Sequence, residues 1–444
     1  MAEIDCIVRK IRLPEQYLAG EEKYYDVFMY QGVMAAVLPQ DAEAYAERAV
    51  EIDGEGLVLM PSFTDTHTHM REPGFEWKED IASGLSAAAR GGFANIMCMA
   101  NTSPVNDHEA VTSLMLKKAK EAHPNGPRLF PIGALSKELK GKELAPMSEL
   151  AEAGCVAFSN DGMPVDNTQI FRNGMEYASD IDRIVIDHCE DSSMGLGAGI
   201  NEGEMSSKLG LTAQPDIAEA IHIGRDILLS EYLNLPIHLA HVSCKKGIDL
   251  IRDAKKRGVN VTAETCPHYL LFTEQEVDGF NTAAKVNPPL RVEEDVKAVI
   301  EALNDGTIDM LCTDHAPHAK HEKEVEFDLA PCGISGLDTA FSATWGLVED
   351  GVLTFDAFAA SWVYNPAERF NLPVNKFDKD SPADFFLFDP KEEWVVTEEI
   401  MASKGKNTPL LGKTLKGVIK KHFINGVDVL ADEVADDVVE ADAE

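Results

Sequence analysis

The stretch GLVLMPSFTDTHTH, residues 56–69, is the first of eight apolar runs that decide the fold. A short apolar segment bounded by turn residues is typical of a buried strand. Side chains two positions apart on a strand point the same way, so His67 and His69 face one point together. Imidazole nitrogens suit zinc and similar divalent ions, although one such pair alone is weak evidence. The stretch therefore predicts a buried strand that ends in a candidate metal-binding pair.

Seven further apolar runs follow, and between several of them lie stretches in which apolar residues recur every three or four positions, such as DIAEAIHIGRDILLSEYL (216–233). They are ANIMCMA (94–100), RLFPIGA (128–134), CVAFS (155–159), RIVIDH (183–188), PIHLAH (236–241), NVTAET (260–265) and IDMLCTD (308–314). Strands that alternate with helices predict a parallel barrel or a doubly wound sheet. The count of eight favours an α/β fold of the (β/α)8 TIM-like barrel type, in which chemistry gathers at the carboxyl ends of the strands.

Ligand-type residues stand at several of these strand ends. RIVIDH ends in His188, PIHLAH ends in His241, and IDMLCTD ends in Asp314. In a barrel, all of these ends surround the same mouth as His67 and His69. A structural role explains each histidine taken singly, but core packing does not explain five such residues at strand ends together. The pattern predicts a metal site at the barrel mouth.

The two ends of the chain have a different pattern. Residues 1–56 and 377–430 carry short alternating strands with Gly and Pro turns, such as EKYYDVFMY and PADFFLFDP. We expect them to form a small β-sandwich domain together, with the barrel over residues 57–376. The acidic end, residues 431–444, is predicted to be a solvated, disordered tail.

Composition excludes several classes of function. The 444 residues include 76 acidic and 40 basic side chains, and a net charge of −36 disfavours nucleic-acid binding. A site for an anionic substrate must therefore supply its own cations. No run of about 18 apolar residues appears, and the N-terminal stretch is charged where a signal peptide is apolar. The eight scattered cysteines form no CxxC pair, so we expect a cytoplasmic protein with free thiols.

The order HxH, two separate histidines and an aspartate, each at a strand end, resembles the amidohydrolase superfamily. Longer motifs are similar to the dihydroorotase family in particular, and they extend from about residue 50 to 417. They are DTHTHMREPG (65–74) followed by KED (78–80), NTSP (101–104), KVNPPLR (285–291), TDHAPH (313–318) and SKGKNTPLLG (403–412).

The resemblance implies two zinc ions per chain. His67 and His69 would bind one ion, with Asp314 completing that site, and His188 and His241 would bind the other. Many enzymes of this superfamily bridge their metals with a carbamylated lysine on the fourth strand. The corresponding stretch here, AGCVAFSNDG (153–162), has no lysine, and Asp161 is the residue that would bridge instead.

The resemblance also implies the reaction. A hydroxide bound to both metals would attack the ring amide of L-dihydroorotate and form N-carbamoyl-L-aspartate, reversibly, in de novo pyrimidine (UMP) biosynthesis. Asp314 would move the proton as the catalytic acid and base. Arg71 would hold the substrate carboxylate with its planar fork. Further substrate contacts are implied for Asn101, Asn287 and His318, and for backbone groups near Pro331 and Gly333.

Two departures from the family pattern concern pocket shape. Ala100 stands where members commonly have proline, and Cys332 stands where they commonly have a bulky aromatic residue. Neither change removes a ligand or a catalytic group. The family further implies a homodimer, with an aspartate transcarbamoylase as a candidate partner.

Two alternatives remain open. One is a hydantoinase or allantoinase-type cyclic amidohydrolase, which would use the same metals but would not need a carboxylate-binding Arg71. The other is a non-catalytic scaffold for an aspartate transcarbamoylase, although such copies usually lose metal ligands. Metal analysis and substrate tests discriminate between these two alternatives and the dihydroorotase reaction.

Overall fold

The computed structural model describes residues 4–40, 49–195 and 197–431. The prediction of an acidic tail over 431–444 therefore lies, except for its first residue, outside the described residues. Short strands open the chain and pair in the sheet order β3-β2-β1-β4, and a fifth strand joins a different sheet. They are β1 (Cys6–Ile11), β2 (Tyr25–Tyr30), β3 (Val33–Pro39), β4 (Val50–Asp53) and β5 (Val58–Pro61).

Eight parallel strands form the barrel, in which each strand pairs with the next along the chain. They are β6 (Phe63–Thr68), β7 (Phe93–Cys98), β8 (Arg128–Ala134), β9 (Ala157–Ser159), β10 (Val185–Asp187), β11 (Ile237–Leu239), β12 (Val261–Thr265) and β13 (Met310–Leu311). A parallel bridge from Thr68 to His315 joins the first strand to the segment after the eighth. The predicted (β/α)8 barrel is confirmed.

The remaining strands are β14 (Phe385–Val395), β15 (Thr414–Ile424) and β16 (Val427–Asp428), which form a sheet with β5 in the order β16-β15-β14-β5. This sheet packs against the N-terminal sheet around a core that includes Val8, Val27, Leu59 and Phe385. The small β-domain built from both chain ends is therefore present.

The first strand predicted within residues 56–69 is divided in the structure, which corrects the sequence interpretation. Val58–Pro61 pairs antiparallel with β14, whereas Phe63–Thr68 is the first barrel strand. The change occurs at Ser62, whose N–H donates to the Asp384 carbonyl, while the next N–H donates to Gly92. Proline at position 61 has no N–H to continue a ladder, so the chain changes sheets there.

Helices connect the strands and cover the barrel, and several of them begin at a side-chain cap. They are α1 (Pro14–Leu18), α2 (Ile81–Arg90), α3 (Glu109–Ala122), α4 (Met147–Ala153), α5 (Thr168–Asp180), α6 (Glu204–Leu209), α7 (Asp216–Leu233), α8 (Lys245–Lys256), α9 (Pro267–Leu271), α10 (Glu293–Asn304), α11 (Lys320–Lys323), α12 (Ala340–Glu349), α13 (Phe355–Ala359) and α14 (Asn365–Phe370). Asp80 caps α2, because its side chain accepts from Ser83 N–H. None of the helices in the described ranges is long and apolar enough to cross a membrane.

Candidate metal centre

Asp161 lies between two pairs of buried histidines at the carboxyl ends of the barrel strands. Its Oδ1 atom is 3.2 Å from His67 Nε2, and its Oδ2 atom is 3.5 Å from His69 Nε2. On the other side, Oδ1 is 3.5 Å from His188 Nδ1 and 3.4 Å from His241 Nε2. The structure thus forms two clusters of candidate ligands that share one carboxylate, whose charge would offset the repulsion between two cations.

Asp314 approaches the first cluster from beyond the eighth strand. Its Oδ1 atom lies 3.1 Å from His69 Nε2 and 3.6 Å from His67 Nε2. Asp314 has a φ of 46°, and two other residues of the same pocket also have positive φ, 34° for His241 and 58° for Arg71. Such conformations cost about 1–3 kcal/mol each and cluster at functional sites. The strained positions therefore coincide with the candidate site.

Hydrogen bonds on the outer side of the first pair fix the orientation of both imidazoles. His67 Nδ1–H donates to Glu264 Oε1 over 2.9 Å, and His69 Nδ1–H donates to Asn101 Oδ1 over 2.9 Å. Each ring therefore presents an Nε2 lone pair to Asp161. A carboxylate behind a histidine is the arrangement that orients metal-binding imidazoles in general.

Glu190 performs the same task for the second pair and ties it to the pocket wall. His188 Nε2–H donates to Glu190 Oε2 over 2.9 Å, which leaves Nδ1 facing Asp161. Asn287 Nδ2 donates to the same oxygen at 2.9 Å, and Gln214 Nε2 donates both to Glu190 Oε1 and to Asn287 Oδ1. Both polar ends of the Asn287 side chain are thus engaged by protein groups.

The centre fits divalent cations by a test that rests on its own atoms. His67 Nε2 and Asp161 Oδ1 are buried, yet neither has a hydrogen-bond partner among the described residues. Buried polar atoms are nearly always paired, so a buried nitrogen and a buried oxygen that face one another without a hydrogen-bond partner fit a bound cation between them. Imidazole nitrogens with carboxylate oxygens form a donor set that suits zinc.

The charge state of the centre leads to the same conclusion. Burial lowers the pKa of His67, but the carboxylates of Asp161, Glu264 and Asp314 outweigh that effect and hold the pKa well above its usual range. Burial raises the pKa of Asp314, but His69 and His67 outweigh it and lower the pKa to about 2. A proton and a metal ion compete for the same imidazole nitrogen. The carboxylates around these histidines therefore favour a positive charge there, which either a proton or a metal ion can supply.

Asp65 joins the two strands that carry the first cluster. Thr313 N–H and Thr313 Oγ1 donate to its two carboxylate oxygens at 3.0 and 2.5 Å, and His67 N–H donates at 3.1 Å. His69 N–H also donates to the His315 carbonyl at 2.8 Å. These bonds close the barrel where the first strand meets the segment after the eighth, and they bring Asp314 next to His69.

A pocket of about 230 Å³ opens beside the centre. Arg71 lines it, and its Nε–H donates to the Pro317 carbonyl at 3.2 Å. Within the described ranges no carboxylate forms an ion pair with the Arg71 guanidinium. A partly buried charge without a carboxylate partner is costly, so Arg71 is a candidate binding group for an anionic ligand. The other lining residues are His69, Asn101, Asp161, Gly162, His188, Gly197, His241, Val286, Asn287, Asp314, Ala316, Cys332 and Gly333.

His318 lies behind this wall rather than free in the pocket. Its Nε2–H donates to the Cys332 carbonyl at 2.9 Å, and Lys78 Nζ donates to its Nδ1 at 3.3 Å. Burial, and after it the charges of Arg71, Lys323 and Lys78, lower the pKa of His318 far below its usual range. The ring is therefore neutral, and both nitrogens are engaged by protein groups.

The segment that contains Pro331 and Gly333 forms one side of the pocket. Gly333 has a φ of +146°, and a Cβ there would stand 2.5 Å from the Ala316 carbonyl oxygen. Gly333 N–H donates to the Lys285 carbonyl, and the Gly333 carbonyl accepts from Asn407 Nδ2, both at 2.9 Å. Only glycine permits the chain to pass so close to Ala316 in this conformation.

Sequence reasoning did not identify Glu190 and Glu264, the carboxylates that orient the histidines. Both had a weak signal in the sequence. Glu190 stands two positions after His188, and Glu264 is the only acidic residue of the run NVTAET. An acidic residue within a buried strand requires a partner, and here His67 and His238 are its partners.

Another buried group of ligand-type side chains lies behind His188, formed by Asp187, Cys189, His222 and Asp226. Arg225 already serves as its cation, because Nη2 is 3.2 Å from Asp187 Oδ2 and 2.7 Å from Asp226 Oδ1. We therefore assign this group a structural role.

Several known proteins are similar to this chain in sequence over most of its length. Residues 56–247 match the family model described as "Dihydro-orotase-like". A dihydroorotase from Syntrophus aciditrophicus is 46% identical over 413 residues, 93% of this chain and 96% of that protein. A dihydroorotase from Ruminiclostridium cellulolyticum is 45% identical over 94% of this chain and 96% of that protein.

Solved structures with the same fold include the L-hydantoinase (dihydropyrimidinase) from Arthrobacter aurescens, with a TM-score of 0.83 and 22% identity over 96% of both chains. The dihydropyrimidinase from Brevibacillus agri has a TM-score of 0.78 and 21% identity over 96% of this chain and 94% of that chain. Likeness at this level of identity establishes a shared fold.

Proposed function

The chain belongs to the dihydroorotase family, and from this membership we propose that it interconverts L-dihydroorotate and N-carbamoyl-L-aspartate, a step of de novo pyrimidine synthesis. The observation that carries the proposal is the position of Arg71, a guanidinium without a carboxylate partner in the described residues, in the same pocket as the Asp161 clusters. A cyclic amide that bears a carboxylate satisfies both features at once.

We assign the two clusters to two zinc ions. His67, His69 and Asp314 would hold one ion and His188 and His241 the other, with Asp161 shared. When bound, such ions supply Lewis acidity, which lowers the pKa of a water molecule towards neutrality and polarises the amide carbonyl.

Asp314 is the proton carrier in this proposal. Its Oδ1 faces His69, whereas its Oδ2 forms no hydrogen bond with the described residues and can accept a proton. The low pKa that the neighbouring histidines cause keeps Asp314 ionised at neutral pH. Asp314 would then return the proton to the ring nitrogen as the amide bond breaks.

The remaining pocket groups would hold the substrate. The Pro317 carbonyl fixes Arg71 through Nε, and Nη2 also lies 3.3 Å from His318 Nε2, so Nη1 and the second N–H of Nη2 are the donors left for a paired contact with the carboxylate. Asn101 Oδ1 accepts a hydrogen bond from His69, so Asn101 Nδ2 is the atom that is left to contact the substrate ring. Cys332 stands between Pro331 and Gly333, and its backbone N–H has no acceptor among the described residues. We assign this N–H as the backbone donor to the substrate ring.

Asn287 and His318, the other side chains implied as substrate contacts, would act indirectly by positioning neighbouring groups. Asn287 would position Glu190, and His318 would position the Cys332 carbonyl, because both side chains are already engaged by protein groups. The homodimer, the aspartate transcarbamoylase partner and the cytoplasmic location stay predictions. Size-exclusion chromatography with light scattering tests the first of these.

The test of the function is hydrolysis of dihydroorotate by the zinc-loaded protein, with hydantoin and allantoin measured in parallel. Turnover of dihydroorotate, with both neutral rings slower by orders of magnitude, is the expected result. Preferential turnover of a neutral ring would reject the assignment of Arg71. No turnover together with no bound zinc would support a non-catalytic scaffold.

Arg71→Lys tests the carboxylate contact directly. A point charge replaces a paired fork, so we expect the KM for dihydroorotate to rise about tenfold or more with a smaller change in kcat. Arg257→Lys is the matched control, since Arg257 is a surface residue paired with Glu231. An unchanged KM in Arg71→Lys would refute the contact.

A further inference from the structure

Two buried lysines lie behind the part of the pocket wall that Cys332 and Gly333 form. Lys285 is 3% exposed and Lys323 is 8% exposed. In the part of the chain that the structure describes, neither ammonium group has a carboxylate within ion-pair distance. Charged residues are almost never buried without a partner, and acidic residues outnumber basic ones nearly two to one in this chain. The absence of a partner for both lysines requires an explanation.

Backbone carbonyls replace the missing carboxylates. Lys323 Nζ donates to the Pro331 carbonyl at 2.7 Å and to the Thr282 carbonyl at 3.0 Å. Lys285 Nζ donates to the Phe327 carbonyl at 2.7 Å. The two ammonium groups therefore hold the segment 327–333 at Phe327 and at Pro331, directly before the pocket residues Cys332 and Gly333.

These contacts satisfy the hydrogen-bonding needs of the lysines but not their charge. Burial lowers the pKa of Lys323 to about 7, with further lowering from Lys285 and Arg71 against the opposing effects of Cys332 and Glu322. Lys323, Lys285 and Arg71 thus lie close enough for their positive charges to oppose one another. Glu322 does not neutralise this wall, because it forms an ion pair with Lys78 at 3.0 Å.

We propose that Lys285 and Lys323 are positioning residues for an anionic substrate, which hold the 327–333 segment against the pocket and supply, with Arg71, the positive charge that the substrate carboxylate balances. The inference rests on the proposed function and deepens it, because it assigns preference for an anionic ring to two residues that do not touch the ring. The charge of the substrate would complete the ion pairing that the protein itself leaves open.

Lys323→Met is the principal test, because methionine keeps the length of the side chain and removes its charge and donors. We expect the KM for dihydroorotate to rise about tenfold or more, since hydrogen bonds to charged groups are the stronger ones. The inhibition constant of orotate, a planar ring with the same carboxylate, should rise equally. The kcat and the zinc content should change little, because the metal ligands are untouched.

The chain offers a close control on the same helical turn. Lys320 is an exposed lysine paired with Glu398, so Lys320→Met removes one positive charge without touching the wall. It should leave both constants unchanged. Lys323→Arg keeps charge and donors and should recover most of the binding, which a role in packing alone would not predict.

Proton uptake gives a second readout that a purely structural residue would not alter. At pH 8 Lys323 is largely neutral in the free protein, and a bound carboxylate would raise its pKa. The groups that face it are Lys285, Arg71, Glu322 and Cys332. Calorimetry of orotate binding in two buffers with different ionisation enthalpies should show net proton uptake in the parent protein and none in Lys323→Arg.

The outcomes separate this inference from the proposed function. A parent protein that fails to hydrolyse dihydroorotate would reject the function itself. With an active parent, equal constants for Lys323→Met and Lys320→Met would overturn the inference, as would a fall in kcat at constant KM. If Lys323→Met does not fold, Lys285→Met provides the same comparison at the other end of the segment, with the same expected result.

Discussion

Asp161 is the residue on which both histidine pairs converge. We expect Asp161→Ala to lose both metal ions, because the change removes a ligand from each site and the carboxylate that separates two positive charges. Zinc content per chain after gel filtration measures the effect. Asp166→Ala is the control, since Asp166 is exposed on the same loop. Retention of two ions per chain in Asp161→Ala would mean that another residue bridges.

Asp314 lies beside the first cluster, and its Oδ2 atom forms no hydrogen bond with the described residues. Asp314→Asn keeps the shape of the side chain but cannot take up a proton at neutral pH. We expect kcat to fall by about 10²–10⁴, the usual contribution of a general acid or base, with an unchanged melting temperature. Steady-state kinetics and thermal melting measure both. Substantial residual turnover in a variant that retains zinc would remove Asp314 from the proton-transfer step.

At the scale of elements, strand β6 connects the hydrophobic core to the candidate metal centre. Its first residue, Phe63, is fully buried and packs against Phe93, Phe358, Trp362 and Phe386 with ring centroids 5.2–5.6 Å apart. The HxH pair lies at its carboxyl end, with His67 inside the strand and His69 directly after it. The aromatic cluster therefore anchors the strand that presents two candidate ligands.

Phe63→Ala should destabilise the protein by about 3–5 kcal/mol, the usual cost of truncating a buried aromatic residue. A large fall in melting temperature is the expected measurement, with weaker zinc retention as a secondary effect. Phe75→Ala serves as the control, because Phe75 is only partly buried and lies after the strand. A loss of stability in Phe63→Ala no greater than in the control would show that this cluster does not anchor β6.

At the scale of the whole molecule, His422 joins the β-domain to the barrel. It lies on β15 with no exposed surface, accepts from Ser62 Oγ over 2.9 Å and donates through Nδ1–H to the Ala89 carbonyl over 2.8 Å. Burial lowers its pKa to about 4. Because the unfolded chain takes up this proton near pH 6.5, stability rises with pH between about 4 and 6.5 and is lost as the pH falls through that range.

His422→Gln should therefore reduce the dependence of stability on pH. Between pH 7 and pH 5, this one histidine lowers the free energy of unfolding by about 2 kcal/mol, and the variant should lack that part. Urea denaturation at the two pH values, for the parent and the variant, measures the difference. An equal loss of stability in both proteins would show that His422 does not contribute to the acid sensitivity.

The amount that sequence could predict differs between elements and contacts. Seven of the eight barrel strands were predicted within a few residues, and α7 occupies the predicted residues 216–233, because apolar periodicity is a local property of the chain. Helix α5, over residues 168–180, was not predicted, since Asn173 and Gly174 are weak helix formers. The division of the first strand was also missed, because its two halves are equally apolar and only their pairing partners distinguish them.

The sequence by itself determined the strand order, the residues at the strand ends and the family motifs, since these depend on neighbours in the chain. Only the tertiary structure decided that Glu264 orients His67 across 197 positions and that Asp65 binds Thr313 across 248. Lysine is ordinarily a surface residue, so no sequence pattern indicated that Lys285 and Lys323 are buried. Barrel closure is the physical reason, because it brings distant strand ends together and sets the charge around each of them.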